Sequence, residues 1–189
     1  MTLKVGKRDI VSTNPKILLL YGASKVGKTT MLSKLKDCVI LDTEEGSRFI
    51  KGNILDIKNR GDLMAFYKEA ETGHSFKYVA LDTIDKLVEW VDAAICQEFQ
   101  VDAIADLAYG KGFGLVRQKV INNVKKLCGI FDNVIIVSHR KTAAAVENTN
   151  AVDPESLDIS GKLKNMLMAM SDAIGYVHRD DEDELKVSF

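Results

Sequence analysis

The chain has 189 residues, of which 46% are apolar, and its formal net charge is −1. This length and apolar content are enough for one well-buried core and short for two, so we expect a single domain over residues 1–189. The near-zero net charge excludes a bulk electrostatic attraction to DNA, RNA or anionic membranes, and any such contact has to come from local patches.

The cysteines and the apolar runs indicate the compartment. Three widely spaced cysteines with no C-x-x-C pair predict neither a zinc site nor a disulfide framework. Isolated thiols are typical of a reducing compartment. The longest apolar runs, such as residues 17–20, are far too short to cross a bilayer. We therefore expect a cytoplasmic protein without membrane contact.

The first part of the chain predicts alternating strands and helices. Residues 1–15 are polar and end at Pro15, which predicts an irregular lead-in. Short, continuously apolar runs then predict central strands that are covered on both faces. The predicted strands are 16–21, 38–41, 78–81 and 134–138, with 54–57 as a weaker candidate. The predicted helices between them are 29–36, 61–71, 83–99 and 115–131.

This order of elements predicts an α/β fold with a mostly parallel central sheet and helices on both faces. Residues 173–177 and 185–189 flank an acidic turn and predict a C-terminal antiparallel hairpin. Two stretches have no clear period. Residues 108–114 carry three glycines in five positions, which predicts a free backbone, and the turn formers of 148–161 predict a mobile loop.

The turn after the first strand has the pattern G-x-x-x-x-G-K-T. Gly22 and Gly27 are expected to adopt backbone angles that other residues avoid, so that successive N–H groups point at an anion. Lys28 is placed to reach the β- and γ-phosphates of a nucleotide. The alternative is a glycine-rich turn without a ligand, but the motif is complete and stands between strand and helix. It predicts a site for ATP and Mg²⁺ formed by Gly22, Ala23, Ser24, Lys25, Val26, Gly27, Lys28, Thr29 and Thr30, with Thr29 ligating the metal.

Polar residues at three other strand ends complete the predicted site. Asp82 follows the third strand and is the candidate magnesium carboxylate, although it could also cap the next helix. Glu44 is the candidate water activator among the acids after the second strand, because we expect that strand to lie beside the P-loop strand. The alternative is that these acids cap the next helix or face solvent. His139, at the end of the fourth strand, is the candidate γ-phosphate sensor, or else an ordinary surface histidine.

Taken together, these motifs resemble the RecA-type recombination ATPases, and in particular the small phage nucleotide-binding proteins that act as single-strand annealing recombinases. The resemblance covers nearly the whole chain. It rests on the P-loop and on the segments 41–44, 79–85, 109–114, 137–140 and 161–163.

The resemblance implies a RecA-like fold and a role for each matched position. Glu44 matches the glutamate that activates water, and Asp82 matches the magnesium-associated aspartate. His139 stands where RecA itself has a glutamine sensor. Two DNA-binding loops are implied at about 104–114 and 141–160, and their candidate DNA contacts are Lys111, Phe113, Arg140 and Lys141.

The implied function is an ATPase that assembles as a filament or ring on single-stranded DNA, with ATP between subunits, for annealing or homologous recombination. Turnover is expected to be slow without DNA or assembly, and a phage origin implies the host cytoplasm. Relatives continue beyond the hairpin, so the family's C-terminal tail is expected to be missing; Lys162, Lys164 and Arg179 remain candidates for the basic residue donated to a neighbour. The near-neutral net charge and the acidic second loop favour an alternative, a nucleotide-dependent regulatory switch that acts on a protein partner without DNA.

Overall fold

The computed structural model describes residues 14–141, 156–159 and 161–189. In these ranges, seven strands form one sheet in the order β3-β2-β4-β5-β1-β6-β7. The strands are β1 (Ile17–Gly22), β2 (Cys38–Asp42), β3 (Ile54–Asp56), β4 (Tyr78–Asp82), β5 (Asn133–His139), β6 (Ala173–Arg179) and β7 (Leu185–Ser188). The helices are α1 (Lys28–Leu32), α2 (Arg60–Thr72), α3 (Ile84–Phe99), α4 (Lys111–Ile130) and α5 (Gly161–Met170).

All neighbouring strands pair in parallel except β6 and β7, which are antiparallel. Every residue of β2 is buried, as expected of a strand that is covered on both faces and paired on both edges. The carboxyl ends of β1, β2, β4 and β5 therefore meet at one edge of the sheet. The residues that continue from these ends lie close together.

The two faces of the sheet are covered unequally. Apolar residues of α2, α3, α4 and α5 pack against one face and form the larger core. The other face is covered mainly by the short α1 and the residues that follow it, including Leu32 and Leu35. The sequence prediction of an α/β fold with a mostly parallel sheet, helices on both faces and a terminal hairpin is confirmed.

Some local predictions are wrong. Helix α1 ends at Leu32 instead of residue 36, and α5 was not predicted. Residues 111–114 were expected to be irregular but form the first turn of α4. The reason is packing: a Cβ on Gly112 would overlap the carbonyl oxygen of Ile104, so this glycine allows a close approach instead of freeing the backbone. The predicted lead-in up to residue 13 and most of the predicted loop at 148–161 lie outside the described residues.

No helix in the described part of the chain is both long enough and apolar enough to cross a membrane.

Candidate nucleotide-binding site

The P-loop joins the end of β1 to the start of α1. Gly27 directly precedes the helix with φ of 117°, an angle that strongly favours glycine, as predicted. The prediction for Gly22 is wrong, because its φ lies outside the left-handed region. Gly22 is required for another reason: a Cβ there would overlap the carbonyl oxygen of Val177 on β6. The first glycine of the motif thus allows two strands to approach.

Lys28 is buried at the base of this loop, with 6% of its surface exposed. Its Nζ donates hydrogen bonds to the carbonyl oxygens of Gly22, at 3.0 Å, and Ala23, at 2.9 Å. Burial lowers the pKa of Lys28, and the carboxylates of Asp82, Glu44 and Asp85 oppose this shift. A cation that burial disfavours, held next to a cleft, is suited to an anionic ligand such as a triphosphate.

Thr29 and Asp82 meet across the site. The Thr29 hydroxyl donates to Oδ2 of Asp82 at 2.5 Å. Burial raises the pKa of Asp82, while the Thr29 hydrogen bond and the charge of Lys28 lower it. These hard oxygen donors fit a magnesium ion. Within the ranges that the structure covers, no group of three or more His, Cys, Asp or Glu side chains could hold a metal. Nucleotide phosphates and water would have to supply the other ligands.

The three acids after β2 have different environments. Asp42 accepts hydrogen bonds from the backbone N–H groups of Glu44, at 3.0 Å, and Ser47, at 2.9 Å, and so shapes the turn. Glu45 forms a surface ion pair with Arg48 at 2.7 Å. Glu44 faces the cleft. The local geometry therefore separates Glu44 from its two acidic neighbours, which the sequence pattern did not.

Glu44 reaches the site from a greater distance across the sheet than predicted. β2 does not lie beside β1, because β4 and β5 stand between them. The turn beyond β2 carries Glu44 over the end of β4, where Oε1 accepts a hydrogen bond from the Thr83 hydroxyl at 2.9 Å. Its Oε2 lies 3.6 Å from Nε2 of His139 at the end of β5. Since β5 pairs directly with β1, His139 lies opposite Gly22 in the register.

These elements enclose a cleft of about 370 Å³. Its lining combines the P-loop with the ends of β2, β4 and β5. The lining residues are Ser24, Lys25, Gly27, Lys28, Thr29, Thr30, Glu44, Gly46, Ile50, Asp82 and His139.

A family model described as an AAA domain matches residues 14–188. The chain belongs to this AAA domain family. The family comprises P-loop ATPases of the AAA type, so nucleotide binding and an ATPase-type domain follow from membership. This confirms the coarser part of the sequence prediction.

A curated prophage protein is similar to this chain over most of the chain's length. The SPbeta prophage-derived uncharacterized protein YorG of Bacillus subtilis (strain 168) is 23% identical over 178 residues. The alignment covers 89% of this chain and 52% of YorG, so the chain spans about half the length of this relative.

The candidate DNA contacts of the AAA domain lie in two places. Lys111 and Phe113 are in the first turn of α4; the Lys111 amine lies 4.7 Å from the centre of the Phe99 ring, and Phe113 is 47% exposed. Arg140 donates to the Tyr176 hydroxyl at 2.7 Å. Lys141 pairs through its backbone N–H with the carbonyl oxygen of Ser156 at 2.9 Å. Lys111 was expected in a loop, and its placement in a helix corrects that expectation.

Sequence reasoning assigned no role to two residues next to the site. Thr83 holds Glu44, and Asp85 accepts hydrogen bonds from the end of β5. Both belong to the Leu-Asp-Thr-Ile-Asp segment that joins the end of β4 to α3. The only signal in the sequence was their position three residues or fewer from Asp82.

Proposed function

We propose that this AAA domain binds ATP with magnesium in the P-loop cleft and hydrolyses it, as RecA-type recombinases do. The observation that carries the proposal is the position of Glu44. Its carboxylate extends from β2 into a cleft that also contains Lys28 and Asp82. A glutamate from this strand is what the resemblance to RecA-type ATPases implies.

The proposed chemistry assigns a task to each side chain. Lys28 leaves its two carbonyl partners to bind the phosphates, and its charge compensates theirs. Glu44 orients a water molecule and accepts its proton as the water oxygen attacks the γ-phosphorus and the bond to the β–γ bridging oxygen breaks. The Thr83 hydrogen bond holds one oxygen of Glu44, which leaves the other directed toward His139. His139 contacts the γ-phosphate.

Thr29 and Asp82 are the residues that would hold magnesium. The ion neutralises charge on the phosphates when it is bound. Asp82 accepts a hydrogen bond from Thr29, which keeps both oxygens at the same point of the cleft.

We further propose that the chain forms one ATPase domain that assembles on single-stranded DNA, with ATP at subunit interfaces. The prophage context of YorG and the exposed aromatic ring of Phe113, two residues from Lys111 in the sequence, support this proposal. Exposed aromatic rings stack on bases, and nearby cations neutralise phosphates. With a net charge of −1, binding by one subunit is expected to be weak, so affinity has to come from many subunits in line.

Hydrolysis tests the first part of the proposal. Replacing Glu44 with Gln keeps the size of the side chain and its bond to Thr83 but removes the proton acceptor. We expect ATP to bind as in the wild type while turnover falls by roughly 100-fold or more. Glu45→Gln is the matched control, because Glu45 is adjacent in sequence and pairs only at the surface. Equal turnover in Glu44→Gln and the wild type would show that Glu44 is not the activator.

Fluorescence anisotropy with labelled single-stranded oligonucleotides tests the second part. We expect affinity to rise with ATP and fall with ADP, and to be weakened by Phe113→Ala but not by Lys125→Ala at the other end of α4. No ATP-dependent gain at low salt would refute DNA binding. A protein that is captured in only one nucleotide state would instead favour the regulatory switch.

A further inference from the structure

Asp85 lies in the first turn of α3 and contacts the end of β5. Its Oδ1 accepts a hydrogen bond from the Ser138 hydroxyl at 3.2 Å, and its Oδ2 accepts one from the backbone N–H of His139 at 3.3 Å. Ser138 is fully buried. One carboxylate thus binds two successive residues of the strand that ends in the candidate sensor.

The start of α3 holds both members of the Glu44–His139 pair. Thr83 donates its hydroxyl to Glu44, and two residues later Asp85 binds the backbone of His139. The gap between Glu44 Oε2 and His139 Nε2 is 3.6 Å. Any movement of β5 relative to α3 would change this distance.

We propose that Asp85 is a positioning residue for ATP hydrolysis, which fixes the end of β5 so that His139 stays next to Glu44. This inference rests on the proposed ATPase function. Asp85 acts on the reaction through His139 and not by contact with the nucleotide.

The placement of Asp85 distinguishes positioning from direct catalysis. His139 lines the nucleotide cleft, whereas Asp85 lines a separate cavity on the α3 and α4 side, together with Phe113 and Arg117. Asp85 therefore stands behind the sensor and does not face the nucleotide. Removing it should lower the rate of the chemical step and leave unchanged the affinity for ADP, which has no γ-phosphate for His139 to contact.

Steady-state ATPase assays and equilibrium binding of ADP separate these effects. We expect Asp85→Ala to lower kcat by about tenfold or more, with the dissociation constant of ADP within about twofold of the wild type. Ser138→Ala removes one of the two hydrogen bonds at a buried site with little change in volume, and we expect a smaller loss of kcat. Asp85→Asn can still accept from the His139 N–H and should restore most of the activity.

Glu89→Ala is the matched control. Glu89 lies one turn further along α3, lines the same cavity as Asp85 and forms an ion pair with Lys86 at the surface. It should leave kcat unchanged. If Asp85→Ala and Ser138→Ala both keep wild-type kcat, or if the affinity for ADP falls together with kcat, the positioning role is wrong. Asn behaving like Ala would also overturn it, because the hydrogen bonds would then not be what matters.

A failure of the proposed function is distinguishable from a failure of this inference. If the wild type hydrolyses no ATP, the proposed function fails, and the placement of His139 can still be read by NMR of histidine-labelled protein. The ring signals of His139 should move in Asp85→Ala and return in Asp85→Asn, while those of His74 and His178 stay in place. Unmoved His139 signals would overturn the role of Asp85 independently of activity.

Discussion

Gly22→Ala tests the assignment of the first P-loop glycine to packing. The added Cβ would overlap the carbonyl oxygen of Val177, and it would also lie 3.2 Å from the carbonyl carbon and 3.3 Å from Cβ of that residue. The obstacle is backbone, so no side-chain rotation can relieve it. Restoring ordinary van der Waals contact requires β1 and β6 to separate by more than about 1 Å at their carboxyl ends.

The cost of that separation can be estimated. Overpacking a closely packed site usually costs about 1–3 kcal/mol, and we expect the upper part of this range because backbone must move. Urea denaturation monitored by circular dichroism measures the free energy of unfolding directly. The control is Gly129→Ala in α4, where nothing lies within 4 Å of the added Cβ and φ is not positive. The control should gain up to about 1 kcal/mol from helix propensity.

The two glycine variants should thus change stability in opposite directions. The packing explanation is wrong if the free energy of unfolding of Gly22→Ala is within about 0.5 kcal/mol of the wild-type value, which is the size of effect that ordinary surface substitutions have. A loss of stability in Gly22→Ala could not be explained by a strained left-handed backbone instead, since the φ of Gly22 is not positive.

Three further predictions concern ligands. Lys28→Ala should lower ATP affinity by roughly 100-fold or more, because hydrogen bonds to a charged group contribute about 1.5–3 kcal/mol each. Isothermal titration calorimetry measures the dissociation constant, and an unchanged value would contradict the prediction. Burial raises the pKa of Asp82, and only the ionised carboxylate can ligate magnesium. The magnesium-dependent part of the ATP affinity should therefore weaken as pH falls through that raised pKa, at a higher pH than for an exposed aspartate. Asp82→Asn should abolish this pH dependence, and a wild type whose ATP affinity does not change with pH would refute the prediction. Lys111→Ala should make DNA affinity less salt-dependent by about one unit of the log–log slope, whereas an unchanged slope in anisotropy titrations would remove Lys111 from the DNA contacts.

The sequence predicted the parts of the fold whose signal is local. Continuous apolar runs identify β1, β2, β4 and β5, because strands buried on both faces have no polar alternation. Helix α5 was missed because its first turn carries Lys162 and Lys164 and follows a segment rich in turn formers, which weakens the apolar period.

The order of the strands had no local signal. β5 pairs with both β1 and β4, and the paired residues are more than 50 positions apart in the sequence. The expectation that Glu44 lies beside the P-loop strand was wrong for this reason. The P-loop itself was predictable because its spacing is set by the backbone path around a phosphate, which involves only eight consecutive residues.

The junction of β4 and α3 explains why the separate parts form one site. Asp82 accepts from Thr29 of the P-loop helix, Thr83 donates to Glu44 beyond β2, and Asp85 binds the end of β5. Between them, Ile84 is fully buried in the larger core and anchors the junction. Four consecutive residues therefore connect the end of β4 to helix α1, to the turn beyond β2 and to the end of β5.

This arrangement depends on the central place of β4 between β2 and β5, with Asp82 paired to Asp42 on one side and Val137 on the other. A slip of one residue in β4 would reverse which side chains face the cleft, so the register that buries the core also sets the site. Because Thr83 and Asp85 act on the same Glu44–His139 pair, the effects of changing both should not add, since residues that share partners couple. The junction of β4 and α3 is therefore the part of the fold that holds the separate motifs of this site next to each other.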